Sequence, residues 1–344
     1  MKYKPFQARY QKSITLVILL LLGFSISQSS DAKIVFMSDR EGNIPHIYVM
    51  EDNGSNVCRI TDPAFYDNRP HWFPDGKRVV FERDLSRGDG TNFNAEFVIV
   101  DLKPREEYHF MKNHRTDRFP RISPDGKQIA FYSNRLKDWH IHVADLESGA
   151  ETAITAGHRD LGFPSYMNWS PDGKQLVYLH KENDVGDQIW IMNADGSRPS
   201  RLSHPVGGGI NRVLKYLPSW SPSGQFIMYS EVTLTPNFEK VGPTRLVFQN
   251  VSTRRTNVHN FPRDYAINNG CWINDRIVLL AIKAGVGEPE ANWEIYRYDL
   301  TSRKLTNLTK HPEDDTRPDW ISGTLAVFPL DKLTIRWAHL KQPD

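Results

Sequence analysis

Four histidines, His114, His158, His204 and His311, stand at similar offsets along a chain of 344 residues, and imidazoles that converge can hold a divalent metal. Each follows a short β-rich segment and begins a connection, which places the four at the outer rim of any ring built from those segments. Side chains so spread do not meet at the ~2.1 Å of a metal–nitrogen bond, so no metal and no cofactor are expected. Cys58 and Cys271 are the only cysteines, with no Cys-x-x-Cys pair between them, and two scattered thiols make no disulfide framework. A second set of charges is better placed. Asp67, Asp117 and Asp315 each lie three residues before a proline, and Arg69, Arg118 and Arg317 stand one or two before it. With Arg159 they form the candidate binding face. Two readings of this set stay open: ion pairs that tie neighbouring repeats, or a ring that recognises a protein segment or an acidic ligand.

Those prolines belong to a repeat. Pro70-His71-Trp72-Phe73-Pro74-Asp75-Gly76-Lys77 returns as Pro120-Arg121-Ile122-Ser123-Pro124-Asp125-Gly126-Lys127, as Asn168-Trp169-Ser170-Pro171-Asp172-Gly173-Lys174 and as Pro218-Ser219-Trp220-Ser221-Pro222-Ser223-Gly224. Degenerate copies follow at Gly270-Cys271-Trp272 and Pro318-Asp319-Trp320. A period near 50 residues indicates a propeller or solenoid. Each copy reads as four strands: an inner one carrying the Trp, a tight Pro-Asp-Gly turn, a second strand such as Val79-Val80-Phe81, a third such as Ile189-Trp190-Ile191-Met192, and a short fourth ending in signals such as Arg59-Ile60-Thr61. The third strand ends on an acid or amide in every copy, at Glu51, Asp101, Asp145, Asn193, Asn250 and Asp299, residue types that open turns. No long segment of helical period exists, so the fold class is all-β: a six-bladed β-propeller of four-stranded antiparallel blades. A second strand at residues 33–36 has no inner strand before it, and an inner strand at 317–320 has no full blade after it. The two termini therefore share one blade and close the ring, which removes bare sheet edges. A seven-bladed alternative lets residues 324–328 compete for the same slot.

Residues 1–32 precede the repeats. Lys2, Lys4, Arg9 and Lys12 are followed by an apolar run at 14–26 and a small-residue stretch at 27–32, the order of a secretory signal peptide. The run is shorter than the roughly 20 residues a spanning helix needs. The expected organisation is a leader at 1–32, a propeller at 33–328 and a C-terminal strand or tail at 329–344. The mature protein is expected in the periplasm or outside the cell, as a monomer with no membrane span after signal cleavage; an uncleaved leader would instead serve as an N-terminal anchor. Cutting after Ala32 removes four bases and Asp31, leaving 39 bases against 40 acids. A near-neutral chain without a basic stripe is not a nucleic-acid binder.

At these residues the chain resembles the propeller repeats of the TolB family, whose namesake is the periplasmic component of the Tol-Pal envelope system. Family repeats read approximately x-P-x-W-S-P-D-G-K-x-I-A-F-x-S, then I-Y-x-M-x-x-D-G, then L-T. Ser38-Asp39-Arg40 and Ile47-Tyr48-Val49-Met50 fit the pattern in the first blade, and the third and fourth blades fit it almost throughout. The family's namesake carries an α/β domain ahead of its propeller, whereas here the leader runs straight into a blade, so the resemblance implies a TolB-like protein without that domain. It implies a non-catalytic binding or scaffold role toward an unidentified envelope protein or ligand. Because the chain alternates direction, the long loops (83–95, 204–216, 231–245 and 282–293) emerge on one face, which is the expected binding surface. Related propellers include oligogalacturonate lyases with a His-bound metal at the axis, so a metal-dependent polysaccharide lyase is the alternative function. A prolyl-oligopeptidase-type enzyme is not indicated, because no Gly-x-Ser-x-Gly elbow is present. The repeated tryptophans (Trp72, Trp169, Trp220, Trp272, Trp320) read as wedges between blades rather than sugar platforms.

Overall fold

The computed structural model of the protein describes residues 33–42, 44–85, 95–110, 116–157, 165–182, 186–203, 212–237, 239–322 and 334–336. Among them every regular element is a β-strand, and the strands form six antiparallel blades whose inner strands contact one another in a closed ring. Blade 1 takes its second, third and fourth strands from Lys33–Ser38, His46–Glu51 and Cys58–Arg59, and its inner strand from Asp315–Ile321. The inner strands of blades 2 to 6 are Tyr66–Trp72, Asp117–Ile122, Ser165–Trp169, Arg212–Trp220 and Ala266–Asn274. Blades therefore number six, not seven, because Asp315–Ile321 fills the slot beside Lys33–Ser38. Residues 324–328, the other candidate for it, lie outside the described residues. Thr334–Arg336 adds a parallel fifth strand to blade 2 against Arg105–Phe110, so this part of the C-terminal segment packs on the ring.

Local chemistry explains why each blade takes this form. In the Pro-Asp-Gly turns, Asp75, Asp125 and Asp172 accept the backbone N–H two residues on at 2.8–3.1 Å, while Gly76, Gly126, Gly173 and Gly224 hold φ of 64–73°, a region that glycine enters without steric cost. The Leu-Thr signal closes the outer edge. Thr61, Thr155, Ser203 and Thr309 accept, through their hydroxyls, the N–H of Ile47, Ile141, Ile189 and Ile295 on the third strand. A short fourth strand is thereby fixed by a side chain where too little ladder exists to hold it.

The core sits between blades. Val35, Ile47 and Val49 of blade 1 pack with Trp72, Val79 and Phe81 of blade 2, and five further clusters repeat this union at the other junctions. Trp169 and Trp272 donate their indole N–H across the seam to the carbonyls of Arg121 and Ser219 on the preceding blade, as wedges should. Cys58 and Cys271 lie on the outer strand of blade 1 and the inner strand of blade 6, both as free thiols.

Two loop expectations are corrected. Residues 231–234 and 240–245 belong to an extended hairpin, with Phe226–Leu234 pairing Lys240–Asn250 out to Leu234–Lys240. Residues 212–216, read as the end of another loop, extend the inner strand beside it. The β-branched run Val232-Thr233 facing Val241 favours strand over loop at this point.

Candidate functional site

All six inner strands break register at the same height, and the break builds the axial site. Shifts fall between Asn68 and His71, Arg118 and Arg121, Ser165 and Met167, Tyr216 and Ser219, and Ile267 and Asn269, with the counterpart in blade 1 opposite Val35 and Met37. At the bulges Arg69, Phe119, Tyr166, Leu217 and Arg317 take φ of 53–63°, a conformation that costs a non-glycine residue about 1–3 kcal/mol. Asn269 holds the place in blade 6. The next residue there is Gly270, where a Cβ would come 2.4 Å from the carbonyl oxygen of Leu279.

Five of the six bulges present two residues at the axis, and that of blade 3 presents one, Arg121. Arg69, Tyr166, Leu217, Asn269 and Arg317 form an upper tier, and His71, Arg121, Asn168, Ser219, Cys271 and Asp319 a lower one, around a funnel of about 50 Å³. A second cavity, of about 210 Å³, opens toward the turn face past Trp72, Trp169 and Trp320, and shares His71, Asn168 and Asp319 with the first. The lower tier is thus a partition across the channel.

Cations dominate the funnel. Arg69 Nη1 lies 2.5 Å from Glu82 Oε2, with its guanidinium 4.2 Å from the centre of the Phe119 ring, and the other Glu82 oxygen accepts the Phe119 N–H. Arg121 donates to the carbonyl of Pro120 at 2.8 Å, and burial pushes its guanidinium down from the ordinary range. Arg317 has no ion pair among the described residues; its backbone N–H donates to Asn269 Oδ1 at 2.7 Å. Burial, reinforced by the neighbouring charge of Arg69, pushes it down to about 10, so it remains a cation at neutral pH. Burial also pushes His71 down to about 4, leaving it neutral 3.8 Å from Asp319. The Cys271 thiol is pushed up by burial, which keeps it protonated and unreactive. The funnel can bind an anion, but it holds no activated thiolate. Among the described residues no group of three His, Cys, Asp or Glu is placed to hold a metal ion.

The candidate residues named from sequence separate into two sets. Asp67, Asp117 and Asp315 are fully buried and pair with arginines of their own blades, on the second strand for Arg83 and Arg135 and just past it for Arg40. Arg83 reaches Asp67 at 2.8 Å and Glu107 at 2.7 Å, Arg135 reaches Asp117 at 2.7 Å, and Arg40 reaches Asp315 at 2.8 Å. These aspartates lock inner strands to second strands. Arg69 and Arg317 line the funnel. Arg118 lies beside it, half-buried and within the field of Glu82, Arg69 and Asp84. Arg159 lies outside the described residues, as do His114, His158 and His204; His311 accepts the N–H of Glu313 through Nδ1 at 3.2 Å within its own loop. Sequence reasoning missed Arg121, His71 and Asp319. Their signal was the variable position between Pro and Trp in the repeat.

Comparison with known proteins agrees with this architecture. The TolB beta propeller domain profile matches residues 85–236. The chain is 27% identical over 240 residues to the Tol-Pal system protein TolB of Francisella tularensis subsp. mediasiatica (strain FSC147), covering 57% of this chain and 53% of that one. It is 27% identical over 164 residues to the uncharacterized peptidase YuxL of Bacillus subtilis (strain 168), covering 46% and 22%. The chain thus spans about half the length of the first of these relatives and about a fifth of the second. Among solved structures, TolB from Acinetobacter baumannii superposes with a TM-score of 0.63 at 17% identity, covering 88% of this chain and 69% of that one. An oligogalacturonate lyase in complex with manganese gives 0.54 at 14% identity, covering 81% and 74%. Likeness at such identities is likeness of fold.

Proposed function

We propose that this chain, a TolB-like β-propeller of six blades, is a non-catalytic binding module of the cell envelope that meets a protein or other ligand on its long-loop face. The observation that carries the reading is the funnel: a surplus of buried cations, a neutral His71 and a protonated Cys271 suit holding a ligand better than transforming one. The loop tips add a second support. Ile44, Leu136, Val241 and Val286 are 39–49% exposed; Ile44 and Val286 lie on the connections between second and third strands and Leu136 and Val241 on the strand ends that flank such connections, whereas Val57 is the single comparable residue on the turn face among those described. Apolar tips around a charged centre are the composition of a protein-docking face. Export to the periplasm or beyond is supported by the leader-like residues 1–32, and the binding unit is proposed to act as a monomer. A photo-crosslinker at Ile44, Leu136 or Val286 should trap a discrete envelope partner, while one at Lys77, Lys127 or Lys174 on the turn face should trap none. Equal trapping from both faces would remove the assignment. Polysaccharide cleavage is the competing activity; oligogalacturonate digestion by the metal-supplemented protein would establish it in place of the binding role.

A further inference from the structure

We infer that the axial funnel is a receptor for a single carboxylate group, with Arg317 and Asn269 as its principal donors. The inference rests on the binding reading above and names the chemistry of what enters. Charge comes first: Arg69, Arg121 and Arg317 face two carboxylates, Glu82 and Asp319, while Arg118 also has Asp84 within its field. His71 contributes no charge at neutral pH. The three funnel guanidiniums therefore exceed their carboxylates by one, which a monoanion balances and a phosphate dianion overshoots.

The unsatisfied atoms say the same. Arg69 Nε, Arg317 Nε and Asn269 Nδ2 are buried without a hydrogen-bond partner, and Asn269 itself is 95% buried, with an exposure of 5%. All three atoms are donors, so the missing groups are acceptors, and a buried donor left unpaired is costly. A carboxylate supplies two oxygens in one plane and matches a guanidinium in the paired geometry that a single water cannot.

Size selects the portion of the ligand that enters. A cavity holds a water for each ~10–15 Å³ of such volume, so about 50 Å³ takes a carboxylate and a water or two, but not a sugar ring or a strand. The neutral side of the funnel, Tyr166 and Leu217, offers an apolar shoulder to the carbon that bears the carboxylate. A chain end or acidic side chain of a docked partner and a free small carboxylate share this chemistry.

The test titrates the full exported protein with four probes: acetate, a tetrapeptide with a free C-terminal carboxylate, the same tetrapeptide amidated, and inorganic phosphate. Arginine Nε–H NMR signals report the site directly. The carboxylate peptide is expected to move the Arg317 Nε–H signal, with the amide and phosphate binding at least about tenfold more weakly, and Arg317→Gln is expected to weaken the peptide by about tenfold or more. Acetate binding as well as the peptide would identify the carboxylate alone as sufficient; binding of the peptide only would identify a presented chain end. Leu217→Glu supplies a carboxylate from the neutral wall, so it should abolish peptide binding with a melting temperature at or above that of the wild type. Equal binding of the amidated peptide, unchanged affinity in folded Arg317→Gln, or early melting of Leu217→Glu would each overturn the inference. Loop-face crosslinking that persists when the peptide fails would leave the binding module standing without its carboxylate. A peptide that binds while crosslinking fails would keep the funnel site and remove the loop face.

Discussion

Blades 1 to 3 and blades 4 to 6 share one backbone plan and differ sharply in charge. Every residue lining the funnel that is charged at neutral pH comes from the first three: Arg317 and Asp319 of blade 1, Arg69 of blade 2 and Arg121 of blade 3. Blades 4 to 6 contribute Tyr166, Asn168, Leu217, Ser219, Asn269 and Cys271, none of them charged at neutral pH. The buried aspartate–arginine locks at Asp315, Asp67 and Asp117 likewise belong to the first three blades. A repeat thus fixes frame and leaves its lining free, and here the lining has been divided into a charged wall and a neutral one.

Breaking the lock in blade 2 gives the largest expected effect. Arg83→Met strands Asp67 and Glu107, both wholly buried, and should cost about 3–5 kcal/mol of stability in chemical denaturation. Copying the neutral wall into the charged one comes next. In His71→Asn the charged wall acquires the amide that Asn168 provides in blade 4. The folded protein binds the His71 proton only near pH 4, against 6.5 for the free side chain. The unfolded chain therefore takes up that proton first, and stability falls as pH drops from about 6.5 toward 4. The loss is on the order of 3 kcal/mol at most. His71→Asn should flatten this part of a melting-temperature profile. Asp67 acts in the opposite sense, since burial raises it to about 6 and its contribution grows as pH falls through 6 toward 4. The analogous Asp67→Asn profile should therefore bend the other way.

Smaller effects sharpen the comparison. Arg317→Asn copies the Asn269 position of blade 6 and removes a cation that repels Arg69, so stability in urea should hold or rise by up to about 1 kcal/mol. Sites kept for binding commonly cost stability in this way. Arg276→Met in blade 6 breaks an exposed pair with Asp299 and should change stability by less than about 1 kcal/mol. A loss equal to that of Arg83→Met would show that the locks have no special standing.

The frame was legible in sequence because its signals are local. Pro-Asp-Gly turns, strand-length apolar runs and the Leu-Thr closure each act within a few residues, and the unpaired strands at either end of the repeat imply a shared blade. The funnel was legible only in part. Arginine, phenylalanine, tyrosine and leucine give no notice that they will adopt positive φ, yet this conformation turns both variable positions of x-Pro-x-Trp to the axis. Arg69 and Arg317 stood in the first of those positions and were found. Arg121, His71 and Asp319 stood in the second and were passed over. Asp67, Asp117 and Asp315 were grouped with the arginines by proximity in sequence, but their partners lie on or just past second strands, as far away as Arg40 is from Asp315. Residues 231–245 carried the β-branched signal for a hairpin that a loop reading ignored.

The closure of blade 1 has a consequence for timing. Arg317 and Asp319 reach the funnel only when Asp315–Ile321 takes its place beside Lys33–Ser38, a union of segments almost 300 residues apart in the chain that carries the loop-closure cost of a long-range contact. Until that clasp engages, one wall of the funnel is missing two charged residues and the first blade has a bare inner edge. A ligand that depends on Arg317 would therefore discriminate between finished and unfinished rings, making occupancy of the axis a report on whether folding is complete.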